Sequence, residues 1–93
     1  MRYDDIKDKK VLFFEPFSKK TGYKSFPELP EAFEEVMNSL DGKKMKLKNA
    51  RKIFEKAIEP LERKKDMFMI GESGSNTFFI AWGHQILIHY KFA

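Results

Sequence analysis

The sequence contains no cysteine among its 93 residues. A disulfide framework and a thiolate metal site are therefore excluded, and the absence fits the reducing conditions of the cytoplasm. Its two histidines are too few for a zinc site without further ligands. We therefore expect a cytoplasmic protein with no metal and no cofactor.

Long apolar runs are also missing from the sequence. No run approaches the roughly 20 residues that a membrane helix needs, and residues 1–10 lack the apolar centre of a signal peptide. With 42% hydrophobic and 15% aromatic residues, the chain has enough apolar surface for a packed core. We expect one domain over residues 1–93, in which residues 1–10 form a polar lead-in segment, and no membrane partner.

Residues 67–92 contain three apolar runs that are separated by two turn signals. Gly83 and His84 suit a two-residue hairpin turn, because a type II′ turn needs a positive φ at its first position. Residues 73–76 suit a longer hairpin loop, so the pattern predicts a three-stranded antiparallel meander. The predicted facing pairs are Trp82 with Gln85, Ile80 with Leu87, Phe78 with His89, Glu72 with Thr77, and Met69 with Ile80.

This register divides the meander into two faces, because side chains alternate along a strand. The face predicted to form the core carries Phe68, Ile70, Phe79, Ala81, Ile86, Ile88 and Tyr90. The second face is more mixed and carries Met67, Met69, Phe78, Ile80, Trp82, Gln85, Leu87 and His89. A meander commonly has one face in water, so the second face is either covered by another part of the chain or is a binding surface.

The N-terminal part of the chain predicts one strand followed by a helix. Residues 11–15 have a strand pattern, which Pro16 ends or confines to a sheet edge. Residues 23–26 suit a short second strand or an extended connection. An amphipathic helix then begins at Pro27 or at Pro30, since proline is tolerated in the first helical turn.

A second helix precedes the meander. Asp41 and Gly42 end the first helix, and a new apolar stripe at helical spacing begins at Leu47. Pro60 should stop or kink this helix at about Glu59, because proline removes a helical hydrogen bond. The element order predicts an α+β fold of two layers, in which a helix pair packs on an antiparallel sheet with a C-terminal three-stranded meander.

One side of the predicted second helix is basic, in a chain with a formal net charge of +4. Lys48, Lys52 and Lys56 lie one turn apart on it and are termed the lysine crest. Such a row can follow a phosphate backbone and release its counterions, whereas the alternative is a solvated helix face with Glu–Lys pairs. The candidate nucleic-acid-binding residues are Lys43, Lys44, Lys48, Lys52, Lys56 and Arg63.

The mixed face of the meander offers a different binding mode. Exposed methionine and aromatic side chains can anchor a protein partner, and exposed aromatics on a sheet can also stack on bases. The candidate partner-binding residues are Met67, Met69, Phe78, Trp82 and His89.

Three functions follow from these features. The first is a non-enzymatic protein that binds RNA or DNA through the basic helix face, and the second is an inhibitor or accessory factor that docks on a larger enzyme or complex through the Met/aromatic face. His89 with Tyr90 and Lys91 could also serve acid–base chemistry on RNA. In its element order and basic charge the chain resembles RelE-like toxins, which implies a small ribonuclease. We expect binding rather than catalysis, with no catalytic residue and with His89 structural or interfacial.

Overall fold

The computed structural model describes residues 2–19, 29–61 and 68–93. The elements in chain order are helix α1 (Tyr3–Ile6), strand β1 (Lys10–Phe14), helix α2 (Ala32–Leu40), strand β2 (Lys44–Lys46), helix α3 (Leu47–Ile58), a 3₁₀ turn (Glu59–Leu61), and strands β3 (Phe68–Gly74), β4 (Thr77–Trp82) and β5 (Gln85–Phe92). The possible start of the first helix at Pro27, the possible strand over residues 23–26, Arg63 and Met67 lie outside the described residues.

The five strands form one antiparallel sheet in the order β2-β1-β5-β4-β3. Strands β3, β4 and β5 are consecutive neighbours, so the predicted C-terminal meander is confirmed. Helices α2 and α3 pack on one face of this sheet, and the predicted two-layer α+β fold is therefore confirmed as well.

Aromatic rings join the helices to the sheet. The fully buried ring of Phe33 on α2 lies 5.4 Å from the ring of Phe54 on α3, in an edge-to-face arrangement. The same ring lies 5.7 Å from Phe68 and 5.6 Å from Trp82, which belong to β3 and β4. Such pairs add about 0.5–1.5 kcal/mol each beyond their area burial, so Phe33 is a principal link between the two layers.

Different interactions determine where α3 begins and where it ends. At its N-terminus the backbone N–H groups of Leu47 and Lys48 donate to the carbonyls of Lys9 and Lys7, at 3.2 and 2.9 Å, in place of a side-chain cap. At its C-terminus the α-helix ends at Ile58 and continues as the 3₁₀ turn, as Pro60 predicted. The start of α3 is therefore fastened to the chain between α1 and β1.

The N-terminal segment differs from the polar lead-in that its composition predicted. Residues 3–6 form α1, and Ile6 is only 2% exposed within the core. Composition did not reveal this helix because only Ile6 and Tyr3, among charged neighbours, pack against the core. β1 ends before Pro16 as expected, but it lies inside the sheet, between β2 and β5.

The first hairpin of the meander has a tighter turn than predicted. Strand β3 extends to Gly74, which pairs with Thr77, so the turn is formed by Ser75 and Asn76 and not by residues 73–76. Asn76 has a φ of 61°, which asparagine tolerates better than most residues. The register moves by one residue, and the predicted pairs of Glu72 with Thr77 and of Met69 with Ile80 are wrong. The observed pairs are Glu72 with Phe78 and Ile70 with Ile80.

The second hairpin contains a bulge that the sequence did not predict. Its turn at Gly83 and His84 and the pairing of Trp82 with Gln85 are as predicted, and Gly83 has a φ of 62°. Beyond Ala81, which pairs with Ile86, the register shifts. Ile80 then pairs with Ile88 and Phe78 with Tyr90, and the predicted pairs of Ile80 with Leu87 and of Phe78 with His89 are wrong.

These two shifts exchange the faces of β4. Phe78, Ile80 and Trp82, which were predicted on the outer face, are 7%, 2% and 5% exposed in the core. Phe79 and Ile86, which were predicted in the core, lie half-buried on the opposite face. The strand β5 residues Ile88 and Tyr90 are fully buried as predicted, because the bulge returns them to the face of the helices.

Candidate nucleic-acid interface

The second face of the sheet is opposite the helices. The buried residues of α1, α2 and α3 all belong to the core on the other side. Residues that pair across strands share a face, so the register defines this surface, which is termed the open face. It carries Lys44 and Lys46 of β2, Lys10, Leu12 and Phe14 of β1, Ile86, His89 and Lys91 of β5, Phe79 and Ala81 of β4, and Met69 and Gly71 of β3.

Four exposed lysines occupy one end of the open face. Leu12 of β1 pairs with Lys44 on the neighbouring strand β2 and with Lys91 on the neighbouring strand β5. Lys10 pairs directly with Lys46. This set of four is termed the lysine edge. Like charges directly opposite each other destabilise a sheet, so a bound anion would relieve their repulsion.

Lysines on a sheet have a second explanation, because they protect an exposed edge strand from pairing with another chain. That explanation suits Lys44 and Lys46, since β2 is the outermost strand of the described sheet. It does not suit Lys10 and Lys91, which stand on the interior strands β1 and β5. Edge protection therefore accounts for two of the four lysines, and Lys10 and Lys91 add two exposed positive charges to the same face.

A row of rings crosses the sheet next to the lysine edge. Phe14, His89, Phe79 and Gly71 are successive partners across β1, β5, β4 and β3. The His89 ring lies 5.9 Å from Phe14, nearly parallel to it, and 6.4 Å from Phe79, edge to face. The Phe79 ring reaches over Gly71, where a Cβ atom would stand only 2.5 Å from its Cζ atom. The glycine therefore leaves the space that this ring occupies.

Glu15 lies beside this row and was not identified as a site residue from the sequence. Its backbone has a φ of 49°, a left-handed conformation that is uncommon for residues other than glycine. Its Oε2 atom is 4.0 Å from Nδ1 of His89. That nitrogen is buried and has no hydrogen-bond partner in the described part of the chain. An acid directly before Pro16 at the end of a strand was the only sequence signal for this residue.

The apolar side of α3 is buried against the sheet, and the lysine crest is on the other side of this helix. The crest therefore lies on the far side of the molecule from the open face. Lys52 and Lys56 are exposed. Lys48 instead has its Nζ atom 2.7 Å from Oδ1 of Asp8, and this hydrogen bond lowers the pKa of the Asp8 carboxyl. The crest therefore has two exposed members and one paired member.

The other predicted nucleic-acid-binding residues divide between the two surfaces. Lys43 and Lys44 were predicted as candidates together with the lysine crest, but Lys44 lies in β2 and belongs to the lysine edge. Lys43 is exposed just before β2, and its carbonyl accepts a hydrogen bond of 3.0 Å from the N–H of Phe13. The structure thus separates Lys44 from the crest with which it was grouped.

The predicted partner-binding residues are also divided. Phe78 and Trp82 are buried against the helices, so the alternative of a covered face holds for these two residues and they are not partner-binding residues. Met69 is 57% exposed and His89 is half-buried, and both lie on the open face. Of the apolar candidates that the structure describes, Met69 alone is exposed and could contact a protein partner.

Tyr90 was grouped with His89 and Lys91 from the sequence, but it points to the opposite face. It is fully buried, and its hydroxyl has no hydrogen-bond partner among the residues described. Burial is the main cause that raises the pKa of this phenol far above its ordinary value. Only His89 and Lys91 of the three therefore share a surface.

Metal-binding clusters and membrane-spanning helices are absent from the described ranges. These ranges contain no group of three or more histidine, aspartate or glutamate side chains placed to hold a metal ion. None of the helices described has the length and apolar character that crossing a membrane requires. Comparison with known protein families, curated proteins and solved structures finds no match to this chain.

Proposed function

We propose that this protein binds single-stranded nucleic acid across the open face of its sheet. Phosphates contact the lysine edge, and one or two bases lie against the neighbouring row of rings. The observation that carries this function is the placement of four exposed lysines on one face, two of them on interior strands, directly beside Phe14, His89 and Phe79.

The chemistry of the two parts fits one kind of ligand. Each lysine that neutralises a phosphate releases condensed counterions, which supplies affinity without sequence preference. Aromatic side chains on a sheet stack on bases that are not already stacked in a duplex, so the ligand is single-stranded. Across β2, β1 and β5 the lysine edge spans about 10 Å, since neighbouring strands lie about 4.8 Å apart. That width suits a single backbone.

The lysine crest has a supporting part in this function. Lys52 and Lys56 add to the positive field of the molecule, which steers an anionic ligand during encounter. Because they lie on the far side of the helices, they do not contact a strand that lies on the sheet. The original hypothesis of nucleic-acid binding is thus retained, while its contact surface moves from the helix to the sheet.

A pair of phenylalanine variants tests the stacking part. Phe79→Leu should lose about 1–3 kcal/mol of binding to a labelled twelve-nucleotide single strand, which is the usual contribution of one stacked base. Phe92→Leu is the matched control, because Phe92 is 38% exposed and pairs with Val11 on the side of the helices. Fluorescence anisotropy measures both affinities. Equal losses for the two variants, or tighter binding of a duplex of the same length, would refute stacking on the open face.

A second candidate function is cleavage of RNA, and the contact between Glu15 and His89 favours it. Glu15 would hold the imidazole so that Nε2 takes the proton of a 2′-hydroxyl. The 2′-oxygen then bonds to phosphorus, the bond to the 5′-oxygen breaks, and that oxygen takes a proton from the Lys91 ammonium. The products are a 2′,3′-cyclic phosphate and a 5′-hydroxyl, and solvent returns the proton from His89 to Lys91.

A chimeric strand separates cleavage from binding. The probe is a DNA strand with one ribonucleotide, incubated with excess chelator, and its 2′-O-methyl analogue is the control. Cleavage at the ribonucleotide, lost in the analogue and reduced about 100-fold by His89→Gln, would establish the ribonuclease function. An intact probe under conditions of saturating binding leaves the protein as a non-enzymatic binder.

A further inference from the structure

A pocket of about 160 Å³ lies between α1 and the helix-covered face of the sheet, away from the open face. Ile6 of α1 forms one wall, and Phe78 and Tyr90 form another with their rings stacked 5.6 Å apart at 19°. Ile70, Gly71 and Glu72 of β3 complete the lining. The side chains of the lining residues are apolar except for those of Tyr90 and Glu72.

The Tyr90 hydroxyl is the unusual feature of this pocket. The side chain is fully buried, and its oxygen has no hydrogen-bond partner in the described ranges. A buried hydroxyl without a partner costs about 1–3 kcal/mol, and buried tyrosines normally find one. A phenylalanine at this position would fill the same space without that cost. The Tyr90 hydroxyl is therefore a donor inside the pocket that a ligand could use.

The size of the pocket limits what that ligand is. An apolar cavity of about 150 Å³ admits one benzene ring, so 160 Å³ has room for one six-membered ring with a small substituent. The rings of Phe78 and Tyr90 stack on each other and present an aromatic surface to the pocket, against which an aromatic ligand packs. A chain of several rings or a nucleotide would be too large.

We propose that this pocket binds a small single-ring aromatic molecule, whose polar substituent accepts a hydrogen bond from the Tyr90 hydroxyl. Ile6 and Ile70 enclose the apolar edge of the ring. Glu72 is exposed and marks the open side of the pocket, so its carboxylate favours ligands that carry a donor or a positive charge at that end. This site is separate from the nucleic-acid surface and does not depend on it.

Four commercial probes test the site by amide NMR titration. Phenol and benzene differ in the group that Tyr90 would bind, and benzylamine and benzoate differ in the charge that Glu72 would select. Phenol should shift the signals of Ile6, Ile70 and Tyr90 in a saturable way and bind more tightly than benzene. Benzylamine should bind more tightly than benzoate, and Glu72→Gln should remove this difference.

Two variants test the hydrogen bond from the Tyr90 hydroxyl and the space available in the pocket. Tyr90→Phe should lower the affinity for phenol by roughly 2- to 10-fold, which corresponds to the loss of one hydrogen bond. The affinity for benzene should stay unchanged. Ile70→Phe should abolish the binding of both phenol and benzene, because the phenylalanine ring fills the pocket. Thermal unfolding checks that each variant is folded, and the comparison of phenol with benzene on the unchanged protein needs no variant.

Several outcomes would overturn this site. If neither phenol nor benzene gives saturable shifts at these residues, the pocket holds only water. If Tyr90→Phe weakens phenol and benzene equally, the hydroxyl does not recognise the substituent. If Ile70→Phe leaves binding intact in a folded protein, the probes bind elsewhere.

Discussion

The salt dependence of binding distinguishes the two basic surfaces. In single strands each neutralised phosphate contributes about 0.7 to the slope of log K against log salt, so the four lysines of the lysine edge predict a slope of about −2.8. Changing Lys44 and Lys91 to glutamine should reduce the slope to about −1.4. Between roughly 50 and 200 mM salt the wild-type protein should then lose about 50-fold in affinity, and the double variant about 7-fold.

The control carries the same change in charge on the other side of the molecule. Lys52→Gln with Lys56→Gln also removes two positive charges from exposed positions. These lysines do not contact a ligand on the sheet, so they neutralise none of its phosphates and the slope does not count them. The slope of this variant should stay near that of the wild type in anisotropy titrations with a labelled single strand. A slope that falls for this variant and not for the sheet variant would refute binding on the open face and restore the helix crest.

Three further predictions concern stability and exposure. Tyr90→Phe should keep or raise the free energy of unfolding by up to about 1 kcal/mol, because it removes a hydroxyl without a partner. Burial raises the pKa of the Tyr90 phenol, so wild-type stability should fall as pH rises from the ordinary value of 10.0, and the variant should lose less in alkaline urea titrations. Gly71→Ala should cost about 1–3 kcal/mol, because its Cβ meets the Phe79 ring; an equal cost in a Phe79→Ala background would contradict that contact. Trp82 is 5% exposed, so acrylamide should quench its fluorescence only weakly, and strong quenching would place it outside the core.

The elements themselves were predictable because their signals are local. The apolar stripe from Leu47, the stop at Pro60 and the turn at Gly83 each depend on residues within one or two turns of chain. The short strand β2 was missed, although its alternation around Met45 is typical of a strand with one face in water. No element was predicted between the end of the first helix at Gly42 and the apolar stripe that begins at Leu47.

The faces of β4 were not predictable from periodicity. Residues 78–82 are apolar on both sides, so alternation cannot tell which side is buried. Ile86, Leu87 and Ile88 are three consecutive apolar residues, and nothing in their chemistry marks the bulge that occurs there. A shift of one residue is enough to exchange the two faces of a strand, which is why Trp82 was predicted on the mixed face and not on the core face.

The candidate site escaped prediction for a different reason. Lys10 and Lys91 are far apart in the chain and become neighbours of Lys44 only through the pairing of three strands. The contact of Glu15 with His89 depends on a left-handed backbone before a proline, which a side-chain pattern does not reveal. Lysines were predicted as candidate residues from their type alone, whereas their grouping on one face depends on the strand pairing.

An amide NMR titration of the protein with a twelve-nucleotide single strand locates the binding surface residue by residue. Binding on the open face predicts that the largest shifts fall on Phe14, Phe79, His89 and Lys91, while the amides of Lys52 and Lys56 on α3 stay almost unchanged. The opposite pattern, with shifts on α3 and none across β1 and β5, or no shifts at all at low salt, would contradict it.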